Sequence, residues 1–174
     1  MAKSNRSRMA IPLVAAAAGL MVDQLLKVAV RASLSSCLHP PVSACDQVPL
    51  IGHAVTVLRT ENGGGALGFR QGLWAWTALA VIGLGMALAL SSGSRPSVSM
   101  ALAAGLLVGG ALGNLADRLI LGQVTDFLSF AWKPDRGIDI NGADLTLLIG
   151  AVMATGSLFR RQLRSTSGSD AAPR

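Results

Sequence analysis

The chain has 174 residues, of which 51% are hydrophobic and only 14% are charged. Soluble domains carry about 25% charged residues, so this composition excludes an ordinary soluble domain and predicts a membrane protein of one domain. The formal net charge of +6 would suggest nucleic-acid binding in a soluble protein, but much of the basic excess lies at the two ends of the chain. Basic ends that flank apolar helices are typical of cytoplasmic anchors, so no nucleic-acid partner is expected.

Four apolar stretches predict membrane-spanning helices, at about residues 9–30, 73–90, 98–121 and 143–159. A helix needs roughly 17–25 residues to cross a bilayer, so the fourth stretch is short and its polar beginning must lie near an interface. The first stretch also has the basic start and Ala-rich core of a cleaved secretory signal. It is too long for that interpretation and continues into Asp23-Gln24-Leu-Leu-Lys27, so a span is favoured.

The distribution of charge also predicts the topology. Because both ends are basic and the number of spans is even, both termini should face the cytoplasm. Segments 32–72 and 122–141 should then lie on the outer side. We expect residues 1–164 to form a single membrane domain and the Ser- and Ala-rich residues 165–174 to form a disordered cytoplasmic tail.

Polar side chains cluster at the predicted outer ends of the spans. They are Asp23 and Lys27 in the first, Asn114, Asp117 and Arg118 in the third, Asp126 just beyond it, and Asp144 at the start of the fourth. An ionised carboxylate in hydrocarbon costs roughly 2.5–3.5 kcal/mol even on lenient scales, so such residues mark a function or a partner. Two carboxylates from neighbouring segments, Asp126 and Asp144, can share one proton and activate a water molecule. This pair suggests an intramembrane aspartyl protease.

The segment between the first two spans has some predictable structure. Residues 55–60 alternate and are β-branched, which predicts a short strand, and a Gly-rich turn follows at 61–66. Such a turn can bind phosphate, but no Lys-Ser/Thr follows it, so we expect a strand and loop beside the carboxylates. Cys37 and Cys45 lie in the same predicted outer segment. They could form a disulfide in an oxidising compartment or remain free thiols, and both alternatives stay open.

Five motifs, in chain order, carry a resemblance to a known family. They are Asp23-Gln24-Leu-Leu-Lys27, Asn62-Gly-Gly-Gly65-Ala66, Gly109-Gly110-Ala-Leu-Gly113-Asn114-Leu-Ala-Asp117-Arg118, Val124-Thr-Asp126-Phe127 and Asn141-Gly-Ala143-Asp144. The chain resembles the bacterial lipoprotein signal peptidases (signal peptidase II) over nearly its whole length.

The resemblance implies an all-α membrane protein with four transmembrane helices, a small β-cradle on the outer side and an aspartyl dyad formed by Asp126 and Asp144. It also implies a set of substrate-binding and supporting residues: Asp23, Lys27, Asn62, Gly65, Asn114, Asp117, Arg118, Asn141 and Ala143. The implied substrate is a prolipoprotein whose Cys carries diacylglycerol, cleaved just before that Cys at the bacterial inner membrane. No metal or organic cofactor is implied, and we expect a monomer in the lipid bilayer.

Structural roles compete with functional ones for several of these residues. Asp23 and Lys27, four residues apart, could pair with each other on one helix face. Asp117 and Arg118 could belong to a buried ion network, and Asn114 is expected to brace neighbouring helices. The glycines at 109, 110 and 113 could serve only close helix packing.

The rival function is a small proton or ion carrier with Asp126 and Asp144 as relay groups. A zinc protease would need a His-Glu-x-x-His motif, and a serine protease would need a His within the helices. The only histidines, His39 and His53, lie in the predicted outer segment, so neither chemistry is expected. The sequence does not divide the acid and base roles between the two aspartates, and it assigns no role to Asp139.

Overall fold

The computed structural model describes residues 2–37, 45–52, 54–63, 73–91, 97–133 and 136–169. Most of these residues belong to four helices: α1 (Ala2–Ser33), α2 (Leu73–Ser91), α3 (Val98–Leu121) and α4 (Gly142–Ser169). The strands are β1 (Ser36–Cys37), β2 (Val48–Ile51), β3 (Val55–Asn62), β4 (Val124–Lys133) and β5 (Arg136–Ile140). The protein is therefore mostly helical, with a small sheet, as predicted.

Helix α3 is the centre of the helical part, because it packs against α1, α2 and α4. A Cβ on Gly109 would lie 2.5 Å from the carbonyl oxygen of Ala16 on α1. A Cβ on Gly110 would lie 2.6 Å from the carbonyl oxygen of Ala143 on α4. Small residues allow such close approach of helices in membranes, where van der Waals contact is a main source of association. The close-packing role predicted for these glycines is confirmed.

Among the residues that the structure describes, three helical segments are long and apolar enough to cross a membrane: Ala10–Ser33, Val98–Leu121 and Gly142–Leu163. Many apolar side chains along α1 and α4 are exposed, which suits surfaces that face lipid rather than water. In the described part of the chain, α2 contributes a shorter apolar segment, Thr77–Leu88. The predicted membrane character is confirmed, whereas a fourth span at 73–90 and the orientation of the termini remain predictions.

The five strands form one sheet in the order β1–β3–β4–β5, with β2 also paired to β3. β1 runs parallel to β3, and the other pairs are antiparallel. The strand predicted at 55–60 is confirmed as β3, which continues to Asn62. This continuation places Asn62 opposite Val124, the first residue of β4.

The sheet packs at the end of the helical part where α1 and α3 end and α4 begins. Gly122 caps the end of α3, and its positive φ of 76° lets its N–H donate to the carbonyl oxygen of Arg118. The chain then enters β4 after one further residue, and only Asn141 separates β5 from α4. The beginnings of β4 and α4 therefore lie close to the ends of α1 and α3.

Helix α4 is longer than the predicted span at 143–159, because it continues to Ser169. The prediction that residues 165–174 are disordered is therefore wrong for residues 165–169. Arg, Gln and Leu at 160–164 have good helix propensity, and no proline follows before Pro173, so nothing stops the helix at the predicted boundary. Residues 170–174 lie outside the described residues, and the domain boundary at 164 stays a prediction.

Candidate active site

Asn141 connects the two aspartates of the predicted dyad. Its Oδ1 accepts the backbone N–H of Asp144 at 3.0 Å, and its own backbone N–H donates to Oδ2 of Asp144 at 3.2 Å. This reciprocal arrangement is a capping box at the start of α4. The side-chain amide of Asn141 also donates to Oδ1 of Asp126 at 2.6 Å. One residue therefore orients both carboxylates, one on β4 and the other on α4.

Asp126 is buried on β4, with only 3% of its surface exposed. Its Oδ2 accepts the side-chain amide of Asn62 at 3.1 Å. Burial disfavours the charged carboxylate and raises the pKa of Asp126 to about 6. The hydrogen bonds from Asn141 and Asn62 lower this pKa, whereas repulsion from Asp144 adds to the rise. Asp126 can therefore hold a proton close to neutral pH.

Asp144 lies in the first turn of α4 and is half-buried. Its Oδ1 accepts the side-chain amide of Asn114 at 2.8 Å. The carbonyl oxygen of the same Asn114 side chain accepts a hydrogen bond from Nζ of Lys27 at 3.0 Å. Asn114 therefore links helices α1, α3 and α4, which confirms its predicted bracing position.

A buried ion cluster lies next to the carboxylates. Nζ of Lys27 is 2.8 Å from Oδ2 of Asp23 and 3.3 Å from Oδ2 of Asp117, and the Lys27 and Asp23 side chains have no exposed surface. Arg31 joins the cluster through Oδ1 of Asp117 at 3.4 Å. The expected pairing of Asp23 with Lys27 and the expected network around Asp117 are both present. The pairing of opposite charges and the hydrogen bonds in this cluster offset the cost of removing the charged groups from water.

The cluster also holds the backbone immediately before each aspartate of the dyad. Oδ1 of Asp23 accepts the N–H of Ala143 at 2.7 Å, one residue before Asp144. Oδ2 of Asp117 accepts the N–H of Thr125 at 3.1 Å, one residue before Asp126. The charges on α1 and α3 thus fix the positions from which both acidic side chains project.

Arg118 brings a further positive charge to the site. Its guanidinium donates to the carbonyl oxygen of Asn114 at 3.4 Å and interacts electrostatically with Asp126, Asp144 and Asp117. It therefore balances part of the negative charge of the acidic residues.

A cavity of about 960 Å³ opens beside Asp126. Its walls come from the ends of α1 and α3 and from β1, β3, β4 and β5, and include Arg31, Cys37, Arg59, Thr60, Asn62 and Asp139. The volume is within the range of about 300–1,000 Å³ that ligand pockets usually have. Asp126 lines this cavity, whereas Asp144 is not among its lining residues. In the described part of the chain, no cluster of His, Cys, Asp and Glu side chains could hold a metal ion.

The structure brings together all but one of the residues predicted for the site: Asp23, Lys27, Asn62, Asn114, Asp117, Arg118, Asp126, Asn141, Ala143 and Asp144. Gly65 lies outside the described residues. The two cysteines form a disulfide, which decides between the alternatives left open above. Asp139, which the sequence leaves unassigned, accepts a hydrogen bond from the hydroxyl of Thr60 at 3.1 Å.

Arg31 belongs to the site although none of the five motifs contains it. Its Nη1 donates to Oγ1 of Thr125 at 3.0 Å as well as pairing with Asp117. The sequence does carry a signal, because Arg31 follows Lys27 by four residues and Asp23 by eight. This spacing places all three side chains on one face of α1.

Comparisons with known proteins identify the family of the chain. Residues 15–160 match the family described as signal peptidase (SPase) II. The chain is 34% identical over 146 residues to a lipoprotein signal peptidase of Symbiobacterium thermophilum, and the alignment covers 80% of this chain and 88% of the relative. It is 31% identical over 157 residues to that of Nitratidesulfovibrio vulgaris, with 87% and 90% covered.

Two solved structures, each described as a bacterial membrane enzyme, share the fold. The structure at 2.3 Å resolution has a TM-score of 0.70 at 22% identity and covers 94% of this chain and 93% of its own. The structure at 1.9 Å has a TM-score of 0.66 at 25% identity and covers 84% and 91%. Likeness of fold does not assign function, but the sequence match extends over most of the chain and contains both aspartates. The chain belongs to the signal peptidase II family.

Proposed function

We propose that Asp126 and Asp144 form the catalytic dyad of a membrane aspartyl endopeptidase that removes signal peptides from lipoproteins. Membership of the signal peptidase II family supports the protease activity and the lipoprotein substrate. The observation that carries the dyad is the hydrogen bonding of Asn141 to both carboxylates. Two carboxylates that share an orienting residue and repel each other compete for one proton, which is the condition for paired acid and base catalysis.

The division of roles follows from burial. Asp126 is the more buried partner, and its raised pKa makes it the residue that holds the shared proton. Asp144, half-buried and oriented by Asn114, is then the base. Asp144 takes a proton from water as the water oxygen attacks the scissile carbonyl carbon, while Asp126 donates its proton to the carbonyl oxygen. The tetrahedral intermediate collapses with cleavage of the C–N bond, and a proton passes to the leaving amine.

The surrounding residues orient these groups. Asp23, Lys27, Asn114 and Asp117 hold the backbone and side chains of the dyad, and Arg118 balances their charge. Asn62 and the cavity beside it would receive the peptide. The supporting role of Gly65 stays an expectation.

The substrate we propose is a prolipoprotein whose Cys carries diacylglycerol, cleaved just before that Cys. The relatives named lipoprotein signal peptidase support this class of substrate. Apolar surfaces on the helices would hold the chain in the bacterial inner membrane, with the sheet and the dyad near the outer leaflet. There the acyl chains of the substrate remain in lipid while water reaches the carboxylates.

The test uses the purified full chain in detergent with a diacylglyceryl prolipoprotein as substrate. We expect the native chain to release the signal peptide, and Asp126→Asn and Asp144→Asn each to lower the rate by at least about a hundredfold, the usual contribution of general acid–base catalysis. The matched control is Asp46→Asn, the same chemical change at an exposed acid that contacts Ser35. It should retain the native rate.

The outcome also separates the protease from the proton or ion carrier. A carrier would give no cleavage by the native chain and would move ions across vesicles in a manner that depends on both aspartates. Native-rate cleavage by either Asp variant would rule out the dyad while leaving the family's proteolytic activity intact.

A further inference from the structure

A disulfide lies at the edge of the sheet beside the cavity. The chain has two cysteines, and the bond joins Cys37 to Cys45. Cys37 belongs to β1, is only 4% exposed and lines the cavity next to Asp126. Neither cysteine takes part in the proposed chemistry, so the bond requires a separate explanation.

β1 is too short to stay in place through its own pairing. It has two residues, whereas strands in globular proteins usually have three to ten. It pairs in parallel with Arg59 and Thr60 of β3, and β2 pairs with an earlier part of β3. Since β4 occupies the other edge of β3, β1 and β2 share one edge, and the disulfide joins the end of β1 to the chain that leads into β2.

Thr60 lies between this edge and the dyad. In the sheet it is the partner of Cys37 on one side and of Asp126 on the other. Its surface is 5% exposed, and its hydroxyl lies 3.5 Å from the backbone carbonyl oxygen of Asp126. A shift of β1 would therefore remove the strand that pairs with Thr60 on the side away from Asp126. Thr60 could then move, and the backbone of Asp126, its partner on β4, would move with it.

We propose that Cys37 and Cys45 are positioning residues whose disulfide holds β1 against β3, so that reduction of this bond lowers the rate of cleavage. The inference rests on the catalytic role proposed for Asp126. A dithiol supplies two electrons and two protons: the S–S bond breaks, two thiols form and the reductant closes into a cyclic disulfide. Cys45, the more exposed partner, is the sulfur open to attack, and an oxidising compartment keeps the bond formed.

A contact beside the bond would persist after reduction. The hydroxyl of Ser35 donates to Oδ2 of Asp46 at 2.8 Å, and the N–H of Asp46 donates back to the hydroxyl at 3.1 Å. These hydrogen bonds hold the same two stretches of chain near each other. Reduction is therefore expected to slow the enzyme rather than unfold it.

The experiment measures kcat and KM of the purified full chain before and after treatment with dithiothreitol. The assay temperature is set well below the unfolding midpoints of both forms, which are measured in the same detergent. We expect kcat/KM to fall about fivefold on reduction, which corresponds to about 1 kcal/mol of transition-state stabilisation. The loss should lie mainly in kcat and should be reversed by reoxidation.

The matched control is the double variant Cys37→Ser/Cys45→Ser, which should have the lower kcat from the outset and show no response to dithiothreitol. Because the chain has no other cysteine, a response of the native chain alone locates the effect at this bond. Full kcat in the reduced chain or in the double variant, with only a lower unfolding midpoint, would overturn the inference and leave the dyad untouched. A lack of cleavage by the oxidised native chain would overturn both proposals.

Discussion

All four carboxylate oxygens of Asp126 and Asp144 accept a hydrogen bond from an N–H group. The donors are the side-chain amides of Asn62, Asn114 and Asn141 and the backbone N–H of Asn141. Amide donors orient a carboxylate without adding a full positive charge next to it. The two acids are therefore oriented in advance, which would reduce the entropy cost of reaching the reactive geometry in the proposed reaction.

Asn141 has two separable functions, and two substitutions distinguish them. Asn141→Ser keeps an N-cap oxygen for α4 but removes the amide that reaches Asp126, so we expect near-native stability and a large loss of kcat. Asn141→Ala also removes the cap and should lower the free energy of unfolding by a further ~1 kcal/mol. Unfolding in detergent and turnover assays measure the two effects. Native kcat in the Ser variant would contradict the orienting role.

The raised pKa of Asp126 makes stability depend on pH. Because the pKa is about 6 in the folded chain and about 3.9 in an unfolded one, the folded state binds the proton more tightly. The stabilisation of the folded state by this proton is complete below about pH 4 and is lost as the pH rises through about 6. A difference of about two pKa units between the folded and unfolded chain corresponds to about 3 kcal/mol in the free energy of unfolding.

This difference can be measured by comparing the native chain with Asp126→Asn, which has no proton to lose. The free energy of unfolding of the variant relative to the native chain should rise by up to about 3 kcal/mol between pH 4 and pH 7. Chemical unfolding of both proteins in detergent, at several pH values between 4 and 7, measures this difference. A difference that does not change with pH would show that the Asp126 carboxylate is not desolvated.

The sequence predicts most of the individual site residues because each is a polar group in an apolar setting. Asp23, Lys27 and Asp144 stand out for this reason alone. Thr60 and Thr125 do not, because threonine is ordinary in a strand and only the β3–β4 register shows what lies opposite. The bridging role of Asn141 was also hidden, since it depends on the distance between two separate segments.

Helix α3 determines where the helices meet the site. A Cβ on Gly113 would lie 2.6 Å from Oδ2 of Asp23 and 3.2 Å from Cβ of Ala143. The absence of a side chain at this position lets Asp23 reach both Lys27 and the start of α4. The packing of α1, α3 and α4 is therefore coupled to the geometry of the dyad.

Substitution of Gly113 tests this coupling. Gly113→Ala should cost about 1–3 kcal/mol through overpacking and lower activity, because Asp23 must move. The control is Gly83→Ala on α2, where a Cβ meets nothing within 4 Å and the change should leave stability and activity intact. Unfolding in detergent measures the stability of both variants, and turnover assays measure their activity. Equal effects at the two positions would contradict the packing argument.

The elements differ in how far the sequence determines them. The third predicted span and α3 cover the same residues, because Ser97 caps the helix at its start and Gly122 stops it at its end. The apolar stretch at 143–159 predicts a membrane span but not the end of the helix, because α4 continues through polar residues to Ser169. The two-residue β1 has no periodicity that could have predicted it.

The orientation of the whole molecule in the membrane remains a prediction from charge. If both termini face the cytoplasm, a reporter fused after Arg161 should be active only on the cytoplasmic side, and one inserted at residues 40–42 only on the outer side. Reporter activity in cells measures both. An external signal from the first fusion would contradict the four-span topology and the placement of the dyad near the outer leaflet.

The cooperation of the two acids is tested most directly by a double-mutant cycle on kcat/KM. Residues that act as a unit give strongly non-additive losses, so Asp126→Asn/Asp144→Asn should cleave lipidated prolipoprotein no more slowly than either single variant, while each single variant loses at least about a hundredfold. Losses that add in the double variant would show that the two carboxylates act independently, and the account of a shared proton would be wrong.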